Sequence, residues 1–477
     1  MSITVLGGGI SGLTAAYYLS IVRKTTKVNL YEASSRFGGW IKTDINDKEG
    51  YIFEAGPRTI RPKGLAGNNT LELIQLLELE NKVWPITAHH VAAKNRMIYV
   101  KNKLCLMPSD IKGALRINPP FSKPLYYGAI KDFFGWKSKK RLDDESIYSF
   151  TSRRFGKEIA DYAISSMICG ICAGDAKEIS VKFLMKNLFE KEQKFGSVLR
   201  GIILDFLLNG SERTKSPSFQ PTPLYRKAQI ERWSIYTLQG GLQTLPKVLE
   251  NKLEESESVS LNLNSNCKKI TFETGGPAKV MINGITHKAE HVISSLPSIQ
   301  LSQLVSHQHP ILSNELKMIK CVDVAVINLH YKKDLLDYQG FGLLVPPMEN
   351  LPILGIIFDS CCFGMKDRTV LTIMCGGKWF EKWFGKDPNE LQLLNVAMEN
   401  VGKILNIHEK PDNYKVNILK DCIPQYVVGH HQRVERIRKY IEDNKLPLSL
   451  CGASYDGVGV NDVILSARLA VEKLMPV

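Results

Sequence analysis

Residues 3–6, Ile-Thr-Val-Leu, form a short apolar run, and the segment directly after it constrains the fold more than any other stretch of the chain. Gly7-Gly8-Gly9-Ile10-Ser11-Gly12 fits GxGxxG, 13–19 continues as an apolar helix, and 28–31 reads as a second strand. Glu32 stands twenty residues past Gly12. Strand, glycine turn, helix, strand and acid in that order predict a Rossmann-like unit that binds a dinucleotide. Each part has a physical task. Gly7 permits the tight turn, Gly9 lets the backbone approach a pyrophosphate, and Gly12 lets helix and strand pack closely. The helix N-terminus offers free N–H groups and partial positive charge to the phosphates. Glu32 is placed to accept hydrogen bonds from ribose hydroxyls.

The next residues separate flavin from nicotinamide. Glu32-Ala33-Ser34-Ser35-Arg36-Phe37-Gly38-Gly39-Trp40-Ile41-Lys42-Thr43 resembles the ExxxRxGGxxxT extension of the flavin amine oxidase superfamily. The resemblance implies FAD, with the Arg and the glycine pair lining pyrophosphate and flavin. The C-terminal end repeats the device: a strand at 448–451, a glycine-rich turn from Gly452 to Asp462, then an amphipathic helix over 463–474. In that superfamily the equivalent helix points at the flavin pyrimidine ring, where its dipole favours the negative charge that develops on reduction.

Length and composition bound the rest. A chain of 477 residues is long for a single core and predicts two or three domains. The formal charge of +14 favours anionic partners without choosing among nucleic acid, lipid and acidic small molecules. Part of the excess is local: 101–141 holds ten Lys or Arg against Asp110 and Asp132. The ten cysteines are scattered and read as reduced core thiols. Cys169 and Cys172 form a single CxxC without the second half a zinc site needs, so no metal is expected. No apolar run reaches the ~18 residues of a membrane span. The longest candidate, 198–208, carries Arg200 and Asp205. No cleavable leader precedes the first strand, so any organelle address is expected to be internal.

The motifs predict an α/β fold, α+β overall. A discontinuous Rossmann-like FAD-binding domain comprises 1–88, 225–300 and 415–477. A helical membrane-associating domain occupies 89–224, and a mixed substrate domain 301–414. The 215–223 stretch reads as a Ser/Pro-rich loop.

Further segments narrow the resemblance. They are Glu54-Ala55-Gly56-Pro57-Arg58-Thr59-Ile60-Arg61-Pro62, Asn95-Arg96 with Tyr99, Pro119 to Pro124, Gln339 to Pro346, Asn417 to Tyr426, and Gly452 to Asp462. With these the chain resembles the protoporphyrinogen oxidase family of the mitochondrial animal and fungal type, over essentially its whole length. The resemblance implies oxidation of protoporphyrinogen IX to protoporphyrin IX, the penultimate step of heme synthesis. Three O₂ would be consumed and three H₂O₂ formed. It implies one non-covalent FAD per subunit, contacted by Gly7, Gly8, Gly9, Ile10, Ser11, Gly12, Glu32, Arg36, Gly39, Trp40, Gly56, Pro57, Arg58, Thr59, Cys267, Ala453, Val458, Gly459 and Val460. Arg58 would also pair with a substrate propionate, since a guanidinium fork suits a carboxylate. Phe341, Gly342, Leu344 and Met374 would line an apolar slot. For these four, plain core packing is an equally good account. A hydride would pass from a meso carbon to flavin N5, with the protein aligning and desolvating. No catalytic acid or base is assigned. The resemblance further implies a homodimer on the outer face of the mitochondrial inner membrane, held peripherally on its anionic surface, with ferrochelatase as a neighbour and no nucleic acid.

Two points qualify the match. Where relatives often carry an Arg before a GVFAG-like run, this chain has Cys169-Gly170-Ile171-Cys172-Ala173-Gly174. The aromatic and basic pattern of 101–141 (Tyr126, Tyr127, Phe133, Phe134, Trp136) fits either a lipid surface or a solvated charged face. Three rivals stay open: an amine oxidase of the same superfamily, a non-enzymatic flavin binder, and a coproporphyrinogen oxidase.

Overall fold

A computed structural model describes residues 2–135, 142–209, 220–273 and 275–474. The chain forms two compact units. The first is Met1–Pro85, Pro221–Lys320 and Gln432–Val477. The second is Ile86–Gln220 and Cys321–His431.

The first unit is built on a five-stranded parallel sheet. Its spatial order is Leu448–Leu450, His291–Ser294, Ser2–Leu6, Lys27–Tyr31, Val259–Asn262. Ser2–Leu6 is interior and buried on both faces, so it reads as a continuous apolar run rather than an alternating one. The helix Ile10–Val22 is buried on every side from Ile10 to Leu19, as a helix sandwiched between other elements must be. It packs on the helices Val460–Glu472 and Thr244–Glu254. An antiparallel sheet of Cys267–Phe272, Ala278–Ile282 and Ile285–Ala289 completes the unit with the helices Ser298–Val305 and Pro310–Lys317.

Within the parallel sheet His291 shares a hydrogen bond with Ser449 Oγ at 2.8 Å. Burial, with the charge of Arg23 adding, pushes its imidazole down to about 4. An unfolded His titrates near 6.5, so the unfolded chain binds this proton first as pH falls. The stability is complete above about pH 6.5 and is lost towards pH 4, by about 3 kcal/mol. His291→Gln is expected to flatten that part of the acid limb when urea unfolding is compared at about pH 7.5 and 5. Parallel losses in variant and wild type would remove His291 from the account.

The second unit centres on a seven-stranded sheet. Its order is Asn413–Pro424, Cys321–Tyr331, Thr369–Gly377, Ile353–Phe358, Gly342–Leu344, Arg96–Val100, Lys103–Leu106. All pairs are antiparallel except Gly342–Leu344 with Arg96–Val100. One face buries Leu371, Ile373 and Cys375 against the helix Glu390–Leu405. The sequence expectations differ here in three places. The 89–224 stretch is not wholly helical, because Arg96–Val100 and Lys103–Leu106 join this sheet. Residues 415–424 pair with Cys321–Tyr331 instead of continuing the parallel sheet. Residues 301–317 fall in the first unit. The first two turn on pairing between distant segments and the third on packing of Ser298–Val305 against Cys267–Phe272, and local periodicity is blind to both.

Four helices of the second unit meet at buried charge. Arg154, 4% exposed, ends Ile147–Arg154 and pairs with Glu192 of Lys186–Phe195. It approaches Asp132 of Tyr126–Phe134 at 3.8 Å and donates to the Gly196 carbonyl at 2.9 Å. Asp132, fully buried, accepts from Ser197 Oγ and Leu199 N, both at 2.8 Å, and so caps Val198–Asn209. Burial alone would push the Glu192 carboxyl up. Hydrogen bonds and charge from Arg153 and Arg154 outweigh it and hold the group below the usual carboxylate range.

Candidate functional site

The carboxyl edge of the parallel sheet gathers the glycine motifs. At Gly12 an added Cβ would lie 1.8 Å from the Gly7 carbonyl oxygen. Ser295 Oγ donates to the carbonyls of Leu6 and Gly7 at 2.9 and 3.1 Å, fixing the turn from the other side. Gly9 is different: its missing Cβ would meet only the Cα of Gly39, at 3.9 Å. The two glycines lie close together: a Cβ on Gly39 would stand 3.1 Å from the Gly9 Cα, so neither side brings a side chain to this strip of backbone. Among the described residues no side chain caps the Ile10–Val22 helix, and its first intrahelical bond is Leu13 N to Gly9 O. The N–H groups of Ile10, Ser11 and Gly12 therefore lie before the ladder begins and remain for an anion. Glu32 accepts from Gly8 N at 2.7 Å and from Ser34 N and Oγ at 2.8 and 2.7 Å. The carboxylate is thus held at the end of the second strand.

Arg36 donates to the carbonyls of Phe37, Gly39 and Ile41. It braces the glycine loop from within. Glu54 braces the neighbouring hairpin: its carboxylate accepts from Leu242 N at 2.7 Å and Thr43 Oγ1 at 2.8 Å. Gly56 lies against the Trp40 carbonyl, 2.3 Å from where its Cβ would be. Arg58 is 5% exposed and reaches the Gly56 carbonyl at 3.5 Å. Pro57 and Thr59 are half-buried beside it, and Ile60 bridges to Tyr236. The second glycine turn joins the same cluster. A Cβ on Gly452 would stand 3.4 Å from Ser11 Oγ, and Asn461 donates to the Arg61 carbonyl at 2.8 Å. Ala453, Val458, Gly459 and Val460 belong to this turn and to the start of Val460–Glu472. Cys267 stands apart from these contacts. It opens the strand Cys267–Phe272, and burial pushes its thiol up to about 11.

These residues fit a dinucleotide. An uncapped helix N-terminus, glycine backbone without Cβ atoms and an acid one strand over would supply its phosphate and ribose contacts.

The second unit brings Gly342, Leu344 and Met374, three of the four residues expected to line a slot, onto one sheet, with Phe341 immediately before the strand Gly342–Leu344. Leu344 pairs with Gly355, which pairs with Met374. Directly opposed residues share a face, so Leu344 and Met374 flank a glycine trough. The next row reads Arg96, Gly342, Ile357, Thr372. Gly342 has φ +140, and its Cβ would fall 2.2 Å from the Ile356 carbonyl, so only glycine fits. Phe341, half-buried, is held by backbone bonds to Asn95 and Phe358. Gly170 abuts the row: a Cβ there would meet Leu344 Cδ2 at 2.7 Å. Arg96 is not among the residues expected from the sequence to line the slot. It is exposed and lies in register with Gly342. The Asn95-Arg96 match was its only signal in the sequence. Cys169 and Cys172 are buried in Ser165–Cys172, and burial raises both thiols, Cys172 to about 12.

The aromatic and basic stretch is partly described; Trp136 to Arg141 lie outside the described residues. Phe134 is 74% exposed on Tyr126–Phe134, and Phe206 is 75% exposed on Val198–Asn209. Arg200 links the two helices through the Gly135 carbonyl at 2.8 Å. Among the described residues no helix is long and apolar enough to cross a membrane.

A family model described as flavin containing amine oxidoreductase matches residues 10–475. The chain belongs to that family. Its cofactor is a flavin, and its fold is the mixed α/β fold of these oxidoreductases. A protoporphyrinogen oxidase of Homo sapiens is 39% identical over 99% of this chain and 98% of its own. A coproporphyrinogen III oxidase of Bacillus subtilis is 27% identical over 98% and 97%. Among solved structures, one from Exiguobacterium sp. 255-15 aligns with TM-score 0.79 at 22% identity, covering 99% of this chain and 98% of that one. It shares the fold.

Proposed function

We propose that this chain is an FAD-dependent, oxygen-using oxidase that converts protoporphyrinogen IX to protoporphyrin IX, acting in heme biosynthesis. The observation that carries the reading is full-length similarity to a protoporphyrinogen oxidase at 39% identity, against 27% for the coproporphyrinogen III oxidase. Each of three rounds removes two electrons and two protons, with one O₂ reduced to H₂O₂. The flavin, when bound, supplies the hydride acceptor and the route to O₂.

The chain's own residues do the rest. Ile10, Ser11 and Gly12 direct N–H groups at the pyrophosphate, and Glu32 accepts from the adenosine ribose. Gly8, Gly9, Gly39, Trp40, Gly56, Pro57, Thr59, Ala453, Val458, Gly459 and Val460 shape the remaining walls, with Arg36 acting through the loop it braces. FAD is held without a covalent bond, one per subunit. The role of Cys267 in the pocket rests on the family resemblance alone. Phe341, Gly342, Leu344 and Met374 line the tetrapyrrole slot and exclude water. For the propionate, Arg96 is favoured over the mostly buried Arg58, because it is exposed in the same row as Gly342. The enzyme works as a homodimer, peripherally bound on the intermembrane-space side of the mitochondrial inner membrane, with ferrochelatase nearby. The exposed Phe134 and Phe206, on helices that also carry Lys131 and Arg200, suit an anionic lipid surface.

Purified protein mixed aerobically with protoporphyrinogen IX is expected to raise porphyrin fluorescence with H₂O₂ release, faster than with coproporphyrinogen. A flavin-loaded protein that leaves both untouched overturns the reading. Losing a charged hydrogen bond costs ~1.5–3 kcal/mol. Arg96→Met should therefore raise KM about ten-fold or more while flavin content holds; an unchanged KM removes Arg96 from the slot.

A further inference from the structure

The turn at the C-terminal glycines is closed by a carboxylate that has no counter-ion among the described residues. Asp462 lies in the first turn of Val460–Glu472 and accepts from Gly459 N at 3.2 Å. Its side chain fills the space left by two glycines. A Cβ on Gly457, where φ is +144, would stand 2.6 Å from Asp462 Cβ, and one on Gly459 would stand 2.8 Å from Oδ2. Its neighbour Asp456 is neutralised by Arg438 at 2.7 Å and bonded by Ser466 Oγ. Among the described residues no Lys, Arg or His forms an ion pair with Asp462. Burial, with Asp456 adding, raises its carboxyl above the usual Asp range, and the Gly459 N–H opposes the shift.

The sheet order says which end of the cofactor this carboxylate serves. Glu32 follows Lys27–Tyr31, the first glycine turn follows Ser2–Leu6, and the second follows Leu448–Leu450. Those strands stand in that order across the parallel sheet, with His291–Ser294 between the last two. A dinucleotide with its ribose at Glu32 and its pyrophosphate on the first turn therefore continues towards the second turn. The end opposite the adenosine is the flavin ring.

We propose that Asp462 is a positioning residue for the flavin end of the cofactor. Its hydrogen bond clamps the Gly457–Gly459 turn to the helix, and its negative charge holds the flavin's reduction potential below the value the bare helix N-terminus would set. The inference rests on the flavin reading and not on the choice of porphyrinogen. A negative charge near the ring opposes adding electrons to it, whereas the helix N-terminus favours them.

The test is the midpoint potential of bound flavin in the FAD-loaded protein at about pH 8, without substrate. Asp462→Asn keeps the shape and an acceptor for Gly459 N but removes the charge. A positive shift, with the FAD dissociation constant within two-fold of wild type, supports the proposal. An unchanged or more negative potential overturns it. Asp462→Ser, read the same way, serves if the Asn variant does not accumulate. Wild type that binds no FAD overturns the flavin reading itself. Wild type that binds FAD but oxidises no porphyrinogen overturns only the substrate, and the potential still decides the role of Asp462.

Discussion

Gly12→Ala is expected to purify colourless and to unfold more easily than the wild type, by about 3 kcal/mol. The added methyl would sit 1.8 Å from the Gly7 carbonyl oxygen and 2.9 Å from Ser295 Oγ. Backbone and hydroxyl both hold the turn, so neither yields cheaply. The helix must retreat from the strand, and the N–H groups that face the phosphates retreat with it. Gly9→Ala is the matched control. Among the described residues, and its own chain neighbours aside, its methyl meets nothing nearer than the Gly39 Cα at 3.9 Å, so the apoprotein should keep wild-type stability. Flavin affinity should nevertheless fall, because the methyl stands in the way of the pyrophosphate. Absorbance at the flavin band and thermal unfolding of the apoproteins separate the two effects. A yellow Gly12→Ala with wild-type stability would falsify the close-packed turn.

Arg154→Met should cost the fold about 3–5 kcal/mol, the usual consequence of removing one partner from a buried charge pair. The methionine keeps much of the side-chain volume, so the loss reports electrostatics more than packing. It strands Asp132 and Glu192, at 0% and 2% exposure, and frees the Gly196 carbonyl. Arg153 still reaches Glu192 at 3.0 Å, which places the expectation at the lower end of that range. The helices Tyr126–Phe134 and Val198–Asn209 lose a shared anchor, so their amides should exchange faster with deuterium than those of the seven-stranded sheet. A loss below about 1 kcal/mol, with uniform exchange, would mean the cluster is not what holds these helices.

Local chemistry made the cofactor half legible along the chain itself. A turn that needs Gly12 against Gly7, and an acid at the end of the next strand, involve neighbours within a few tens of residues, and their spacing is written in the sequence. The same holds for the second turn, where Gly452 to Asp462 passes directly into a helix. Arg36 was legible as part of that motif, but its bonds were not. Its three carbonyl partners lie within five residues of it, yet a ligand contact and a loop brace have the same sequence.

The proposed slot was legible only through resemblance. Leu344 and Met374 are thirty residues apart and share a face because both are in register with Gly355. A slip of one residue in either pairing would turn one of them to the opposite face. Arg96 enters that face only through parallel pairing with a strand almost 250 residues later. Strand periodicity specifies two faces but not which neighbour lies across the hydrogen bonds. So the sequence by itself determined a flavin-binding βαβ unit and its glycine turns, since these depend on contacts between near neighbours and on backbone angles only glycine allows. Tertiary structure alone decided which distant strands pair, which arginine lies in register with Gly342, and that Asp132, Arg154 and Glu192 meet in one buried cluster, because register and burial are properties of the assembled sheet and helices.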